Sequence, residues 1–306
     1  MTSRFVIGSS PHIHGALTTQ KIMALVLLAL VPAGAAGIWF LGLSSLWVIC
    51  VCVLSAVGAE FLWQKLMRQA VTVSDLSAAV TGLLLAYNLP PTIPLWMAAC
   101  GSVFAIVLAK QFFGGLGRNI VNPALSGRAM MLISWPVAMT TWTVQGVSTA
   151  TPLTLIKSGE AGLPSLWDVF VGNVGGCIGE TSAFALLLGG GFLIYKDVIS
   201  WRIPLVYMAV VAGGSLFFGR PAGAVYEVFS GGLMLGAFFM ATDYTTTPIS
   251  AKGQVLFAVG CGLLTSLIRI FGGYPEGVSY SILMMNLFVP LIDRLTIPKF
   301  FGEVRS

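Results

Sequence analysis

Phe113-Gly114-Gly115-Leu116-Gly117-Arg118-Asn119-Ile120-Val121-Asn122-Pro123-Ala124 is the stretch whose reading decides the fold, because its opening returns as Phe271-Gly272-Gly273, 158 residues later. Pro90 returns at the same offset as Pro248. Each Phe-Gly-Gly follows an apolar run, and each leads through a glycine-containing turn into another. Three common residues can match by chance, so the surrounding chain has to decide. With five candidate spans in each half, the two turns fall on opposite sides of whatever the chain crosses. That is the pattern of an inverted repeat, whose ligand and ion paths lie where the halves meet.

The surrounding chain is almost solid hydrocarbon. Of 306 residues, 57% are hydrophobic and 9% charged, with a mean hydropathy of +0.91. A soluble domain carries about 25% charged residues, so there is too little charge here to coat a water-facing surface. The reading is an all-α polytopic membrane protein. Spans need about 20 mostly apolar residues, and ten stretches qualify: 20–41, 45–64, 75–90, 94–112, 122–140, 174–194, 203–219, 223–241, 254–271 and 276–292. The short or glycine-rich ones, 75–90 and 223–241, are expected to be broken or tilted. Residues 1–306 then form a single membrane domain, with segment 1–19, first-half helices 20–140, a loop 141–173, second-half helices 174–292 and tail 293–306. Met1 to Gln20 is polar, with Pro11, His12 and His14, and shows no cleavable signal. Two histidines alone make a weak metal site.

Lysine and arginine placement sets the orientation. One side collects Arg4, Lys65, Arg68, Lys110, Arg118, Lys196, Arg202, Lys252, Arg294, Lys299 and Arg305; the other collects Lys157, Arg220 and Arg269. Both termini are therefore expected in the cytoplasm, and loop 141–173 outside. The net charge of +5 is small and scattered, which fits membrane orientation and speaks against nucleic-acid binding.

The polar residues in this hydrocarbon are the candidates for chemistry. Val144-Gln145-Gly146-Val147-Ser148-Thr149-Ala150-Thr151-Pro152-Leu153 places three hydroxyls within four residues, ahead of a helix-breaking proline. It reads equally as a connector or as a place where a hydroxyl is esterified from outside. Arg118, Asn119, Asn122 and Arg128 border one span; they suit an anionic or ring-nitrogen-rich cofactor, or a pair of interfacial arginines. Arg128 falls inside the helix, where a charge needs a partner or a function. Among the acids, Asp243 lies in the hydroxyl-rich Thr242-Asp243-Tyr244-Thr245-Thr246-Thr247, and Glu180 opens Glu180-Thr181-Ser182 within an apolar run. Either could hold Na⁺ or relay H⁺, and Asp243 serves equally well as a cap. Glu60 and Asp293 read as caps or surface acids. The five cysteines (Cys50, Cys52, Cys100, Cys177, Cys261) all lie in apolar runs and read as small buried hydrophobes. Held together, buried thiolates could also carry an iron centre. No nucleophile–base pair, nucleotide loop or metal cluster stands out. Redox work by this chain would need a bound cofactor.

Several stretches together resemble one family. Ser9-Ser10-Pro11-His12-Ile13-His14, the turn from Phe113 to Asn119 with Asn122-Pro123-Ala124, and Ser148-Thr149-Ala150-Thr151-Pro152-Leu153 carry the likeness. So do Met234 to Asp243 and Ile270-Phe271-Gly272-Gly273-Tyr274-Pro275-Glu276-Gly277. In order, over nearly the whole chain, they look like the D subunit of the Rnf (Rsx) ion-translocating electron-transport complex. The B subunit of the Na⁺-pumping NADH:quinone reductase is similar but longer at its N-terminus.

The resemblance implies FMN joined covalently through its phosphate to Thr151. A flavin transferase would attach it by recognising roughly Asp-Gly-x-Ser-x-Ala-Thr; Gly146, Ser148, Ala150 and Thr151 match, and Gln145 stands where the acid is usual. It further implies a second, non-covalent flavin (riboflavin) that no residue here locates, and partners A, B, C, E and G in a bacterial inner membrane. The complex would link NADH and ferredoxin and move Na⁺ or H⁺. The alternatives are the quinone reductase subunit, or a solute channel or transporter built on the same kind of repeat.

Overall fold

The computed structural model describes residues 18–144, 147–159, 162–220, 223–274 and 276–296. Among the described residues the architecture is all-α apart from one small hairpin, and four helices are long and apolar enough to cross a membrane: α1 (Thr19–Leu41), α2 (Leu43–Leu66), α13 (Ala251–Phe271) and α14 (Val278–Thr296). Thr18 caps α1 by accepting from Lys21 N, and Gly42, at φ 93°, makes the reversal into α2.

The remaining elements are shorter. The first half adds α3 (Ser77–Tyr87), α4 (Leu95–Ile106) running on through a π-helical turn at Val107–Gln111, α5 (Pro123–Ser134) and α6 (Pro136–Met139). The hairpin β1 (Thr143–Val144) and β2 (Val147–Ser148), α7 (Pro152–Ser158) and α8 (Leu166–Val171) connect the halves. The second half adds α9 (Ala183–Tyr195), α10 (Arg202–Phe217), α11 (Ala224–Phe229) and α12 (Leu233–Leu235), the last extended by a second π-helical turn at Gly236–Met240.

Several of the ten expected stretches form short or broken helices. At 1.5 Å per residue, α3 and α5, with 11 and 12 residues, reach little more than half of a hydrocarbon core about 30 Å thick. The expected span 174–194 is helical only from Ala183, and 122–140 breaks at Trp135 before Pro136. As expected, 223–241 is broken.

A helix that stops inside the molecule leaves backbone groups that need partners. At the end of α3 they come from the non-helical run before α9: Gly179 N donates to Tyr87 O at 2.9 Å and Ile178 N to Leu89 O at 3.0 Å. At the start of α5 they come from Asn122, whose Oδ1 accepts from Ala124 N (3.0 Å) and Leu125 N (3.3 Å). Its own amide donates to Met240 O at 3.3 Å.

The internal repeat is visible in geometry. Advanced by 158 residues, α1 to α5 fall on α9, α10, α12 with its π turn, α13 and α14. Arg128 of α5 donates to Asn88 at 2.6 Å; at the same offset, Asn286 of α14 donates to Thr246 O at 2.9 Å. The two units run in opposite senses. α5 starts at Asn122, beside a cleft lined by Leu116, Asn119 and Asp243, and heads for a cavity lined by Met139, Gly273 and Tyr274. α14 starts beside Gly277 and returns to Thr296, which accepts from Ser250 Oγ at 2.6 Å.

The halves meet along α1 and α9. A Cβ on Gly189 would strike the Ala29 carbonyl, and one on Gly37 the Ile178 carbonyl, so backbone lies against backbone. One continuous core runs through both halves, and a smaller cluster of Leu153, Ile156, Val169, Val174 and Tyr226 pins the connecting segment. Cys52, Cys177 and Cys261 are buried as expected; Cys100 is exposed and Cys50 half-buried.

Candidate functional site

Two of the concave sites, toward opposite ends of α5, take in most of the candidate residues. The larger is built around Thr151. Pro152 fixes the first position of α7, which leaves Thr151 as its N-cap: Oγ1 accepts from Thr154 N at 3.3 Å and lies 3.2 Å from Thr154 Oγ1. Thr151 is 6% exposed, on a wall shared by two voids. One is a cavity of about 560 Å³ framed by Arg128, Met139, Trp142, Thr149, Tyr274 and Glu276. The other is a small pocket under Gly175, Gly176 and Gly231, reaching Glu180. Ala150, exposed here, lines the larger cavity beside Thr149. The Ser148 side chain, Gln145 and Gly146 lie outside the described residues, as do His12 and His14.

Behind the cavity the acids converge on Arg128, which is 4% exposed. Its Nη1 donates to Asn88 Oδ1 at 2.6 Å and Glu180 Oε1 at 3.1 Å, and its Nη2 donates to Glu276. An interfacial, snorkelling role is thereby excluded for Arg128: it is a buried clamp on two carboxylates. Cys177 closes the group, its thiol donating to Asn88 O at 3.2 Å. The Cys177, Glu180 and Glu276 ligand atoms lie within 4.8 Å of one another. The guanidinium already bound to both acids supplies the positive charge that a cation would otherwise bring. Glu276 was legible only as part of the repeated turn; nothing local in the sequence marks it as a partner of residue 128.

The second site is a narrow cleft of about 80 Å³ at the other end, between the start of α1, the end of α9 and both π-helical turns. Asn119, Asn122 and Asp243 line it with Phe238, Phe239 and Lys110. Asp243 accepts from Thr245 Oγ1 (2.9 Å) and Thr246 Oγ1 (3.2 Å), so it organises a turn and caps no helix. Arg118 is exposed, its stem against Gly114, and does not line the cleft. Asn119 and Asn122 are thus set apart from Thr151, while Arg128 joins it.

The expectation that Glu60 sits at a surface or a helix end fails. It is 1% exposed, and Lys110, also 1% exposed, donates to it at 2.6 Å and to Ser77 Oγ at 2.6 Å. The π-helical turn carries Lys110 inward at that point. Asp293, half-buried, accepts from the loop amide Ile249 N at 3.1 Å, ahead of α13, whose cap is Ser250.

Known proteins match nearly the whole chain. The family model described as the NQR2, RnfD, RnfE family matches residues 6–302. The chain is 52% identical over 306 residues to the D subunit of the Na⁺-translocating ferredoxin:NAD⁺ oxidoreductase complex of Acetobacterium woodii, covering 98% of this chain and 96% of that protein. It is 47% identical to the D subunit of the proton-translocating ferredoxin:NAD⁺ oxidoreductase complex of Clostridium ljungdahlii, over 98% of this chain and 97% of that one. To the D subunit of the ion-translocating oxidoreductase complex of Escherichia coli it is 38% identical, over 98% and 99%.

Proposed function

The chain belongs to the NQR2, RnfD, RnfE family, and from that premise we propose that it is the D subunit of an ion-translocating ferredoxin:NAD⁺ oxidoreductase complex. In this reading it carries FMN esterified through phosphate to Thr151, and electron passage through the subunit is coupled to Na⁺ or H⁺ movement.

The observation that carries the proposal is the setting of Thr151. Thr151 lines a cavity of about 560 Å³, within the size range of sites for small molecules and cofactors. Trp142 and Tyr274 supply aromatic walls, and Arg128, already paired with Glu180 and Glu276, fixes the polar rear of the cavity. Thr149 lines the same cavity, and its Oγ1, buried against Gly175, has no hydrogen-bond partner among the described residues. Gly175 and Gly176 leave a cradle beside Thr151; a Cβ on Gly175 would strike Thr149 Oγ1. These residues fit the group. Bound there, FMN supplies one- and two-electron chemistry that no side chain of this protein can perform.

The chain's own work is positional. Thr151 tethers, the α7 cap orders the tether, and the Arg128 clamp holds Glu180 and Glu276 at the cavity's rear wall. Glu180 and Asp243, at opposite ends, are the ion-path candidates. The named relatives differ in their ion, Na⁺ in one and proton in another, so the two remain equal in the proposal. Lys65, Arg68, Lys196, Arg202, Lys252 and Arg294 fall at helix ends on the Asp243 side, which supports cytoplasmic termini and an outward Thr151. Subunits A, B, C, E and G, with a flavin transferase, are the partners this assignment entails in a bacterial inner membrane.

The test is mass measurement of the subunit purified from cells that also hold the transferase. An increment matching FMN on the peptide containing Thr151 is expected, and an unmodified Thr151 peptide from an active complex would defeat the proposal.

A further inference from the structure

The short helix that begins at Thr151 ends on a cation with a distant target. Lys157, in the last turn of α7, donates through its ammonium to Gly272 O and, at 3.2 Å, to Gly273 O. Those carbonyls follow directly on α13. Gly272 is its C-cap, and the Gly272 amide closes the helix on Ile268 O. A helix leaves its final carbonyls without intrahelical partners and gathers partial negative charge at that end. An ammonium with three donors answers both needs. Lys157 is thus a cap supplied to α13 from another element, across 115 and 116 residues of chain.

The turn held in this way is a wall of the larger cavity. Gly273, Tyr274 and Glu276 line it, as do Thr151 and Thr154. Two cations from different elements grip the turn: Arg128 of α5 at Glu276, and Lys157 of α7 at Gly272 and Gly273. Little packing holds its first part, since a Cβ on Gly273 meets nothing within 4 Å and Tyr274 is 45% exposed. α7 is fixed independently, because Leu153 and Ile156 are buried in the cluster with Val169, Val174 and Tyr226. Of the two, α7 is the anchored side and the turn depends on its grips.

An outer-face lysine has a plainer role, as one of the charges that orient the chain. That role needs a charge and no particular acceptor, whereas Lys157 is directed at two adjacent carbonyls of one turn. Resting on the reading of Thr151 as the flavin attachment point, we infer that Lys157 is a positioning residue for that flavin. It ties the tethering helix to the turn that bears Tyr274, and so fixes the aromatic wall against the point of attachment. Lys157 acts through Tyr274 and touches no reacting atom. Without it the turn keeps only its Glu276 grip, and the cavity loosens on that side.

The test compares the full-length wild type, Lys157→Met and Lys157→Arg, each produced with and without the transferase. In the flavin-free chains, hydrogen exchange of the peptide spanning 272–277 is expected to quicken severalfold in Lys157→Met and to keep the wild-type rate in Lys157→Arg. In the flavin-loaded chains, Lys157→Met is expected to show the same FMN mass increment as wild type. Its flavin should have lower fluorescence anisotropy and severalfold stronger quenching by iodide, both restored in Lys157→Arg. Unchanged exchange in Lys157→Met, or a quickening shared by the whole of α13, would overturn the assignment. So would a loaded Lys157→Met whose anisotropy and quenching match wild type, and that result would leave the reading of Thr151 standing. A wild-type chain that takes up no FMN would overturn both.

Discussion

Arg128 donates to the Asn88 side-chain oxygen at 2.6 Å, tying α5, which begins inside the molecule, to α3, which ends there. Both residues are at most 4% exposed, and the bond joins the C-cap of α3 to the middle of α5. Arg128→Gln should therefore do more than cancel a charge. It strands Glu180 and Glu276, and removing one member of such a buried set costs about 3–5 kcal/mol. Expected is a lower thermal midpoint for the purified subunit. A second change, Glu180→Gln, should return part of the loss, since it removes one stranded charge. Additive losses in the double variant would show that the two residues do not interact.

Thr151→Ala should abolish covalent flavin fluorescence of the subunit in a denaturing gel while the subunit still assembles into the complex. The α7 cap is lost with the hydroxyl, at a cost of about 1 kcal/mol, too little to unfold the chain. A variant band that still fluoresces would move the attachment to Ser148 or Thr149.

Lys110→Met should destabilise by about 3–5 kcal/mol, because it leaves Glu60 buried and unpaired. Glu60→Gln in the same chain should recover most of that, with Ser77 and Gln64 as remaining neighbours. Chemical or thermal melts of the three variants close the cycle. If Lys110→Met alone is harmless, the pair is open to water and its burial is wrong.

Gly189→Val should block the approach of α1 to α9, since even a Cβ overlaps the Ala29 carbonyl. Gly191→Ala, two residues along the same helix, has nothing within 4 Å of the added carbon and should be silent. Yield and melting midpoint of the two variants, compared side by side, decide between a packed seam and a loose one.

The repeat could be read from Phe113-Gly114-Gly115 and Phe271-Gly272-Gly273 because a turn between helices needs small residues wherever it occurs. The half-helices could not. Residues 174–182 are apolar enough to pass for part of a span, and they run as bends and a turn whose Ile178 and Gly179 amides bond to Leu89 and Tyr87, a tertiary fact that no local pattern carries. Burial of Arg128 demanded a partner, and the sequence said so. It could not say that the partners were Asn88, Glu180 and Glu276, which are 40, 52 and 148 residues away. Glu60 was misread for the same reason: its lysine lies 50 residues on. Thr151 was legible because its neighbours Ser148, Ala150 and Pro152 form a compact motif; the cavity it faces is assembled from α5, β1's approach and the second turn.

The 158-residue correspondence places Arg128 and Asn286 at matching points of the two inverted units. A frame with perfect inverted symmetry presents the same landscape to a charge entering from either face and so cannot tell one direction from the other. Here one matching point holds a guanidinium with two carboxylates and its counterpart holds a neutral amide. That difference in side chain, at a matched point of the repeat, distinguishes the two faces of the scaffold.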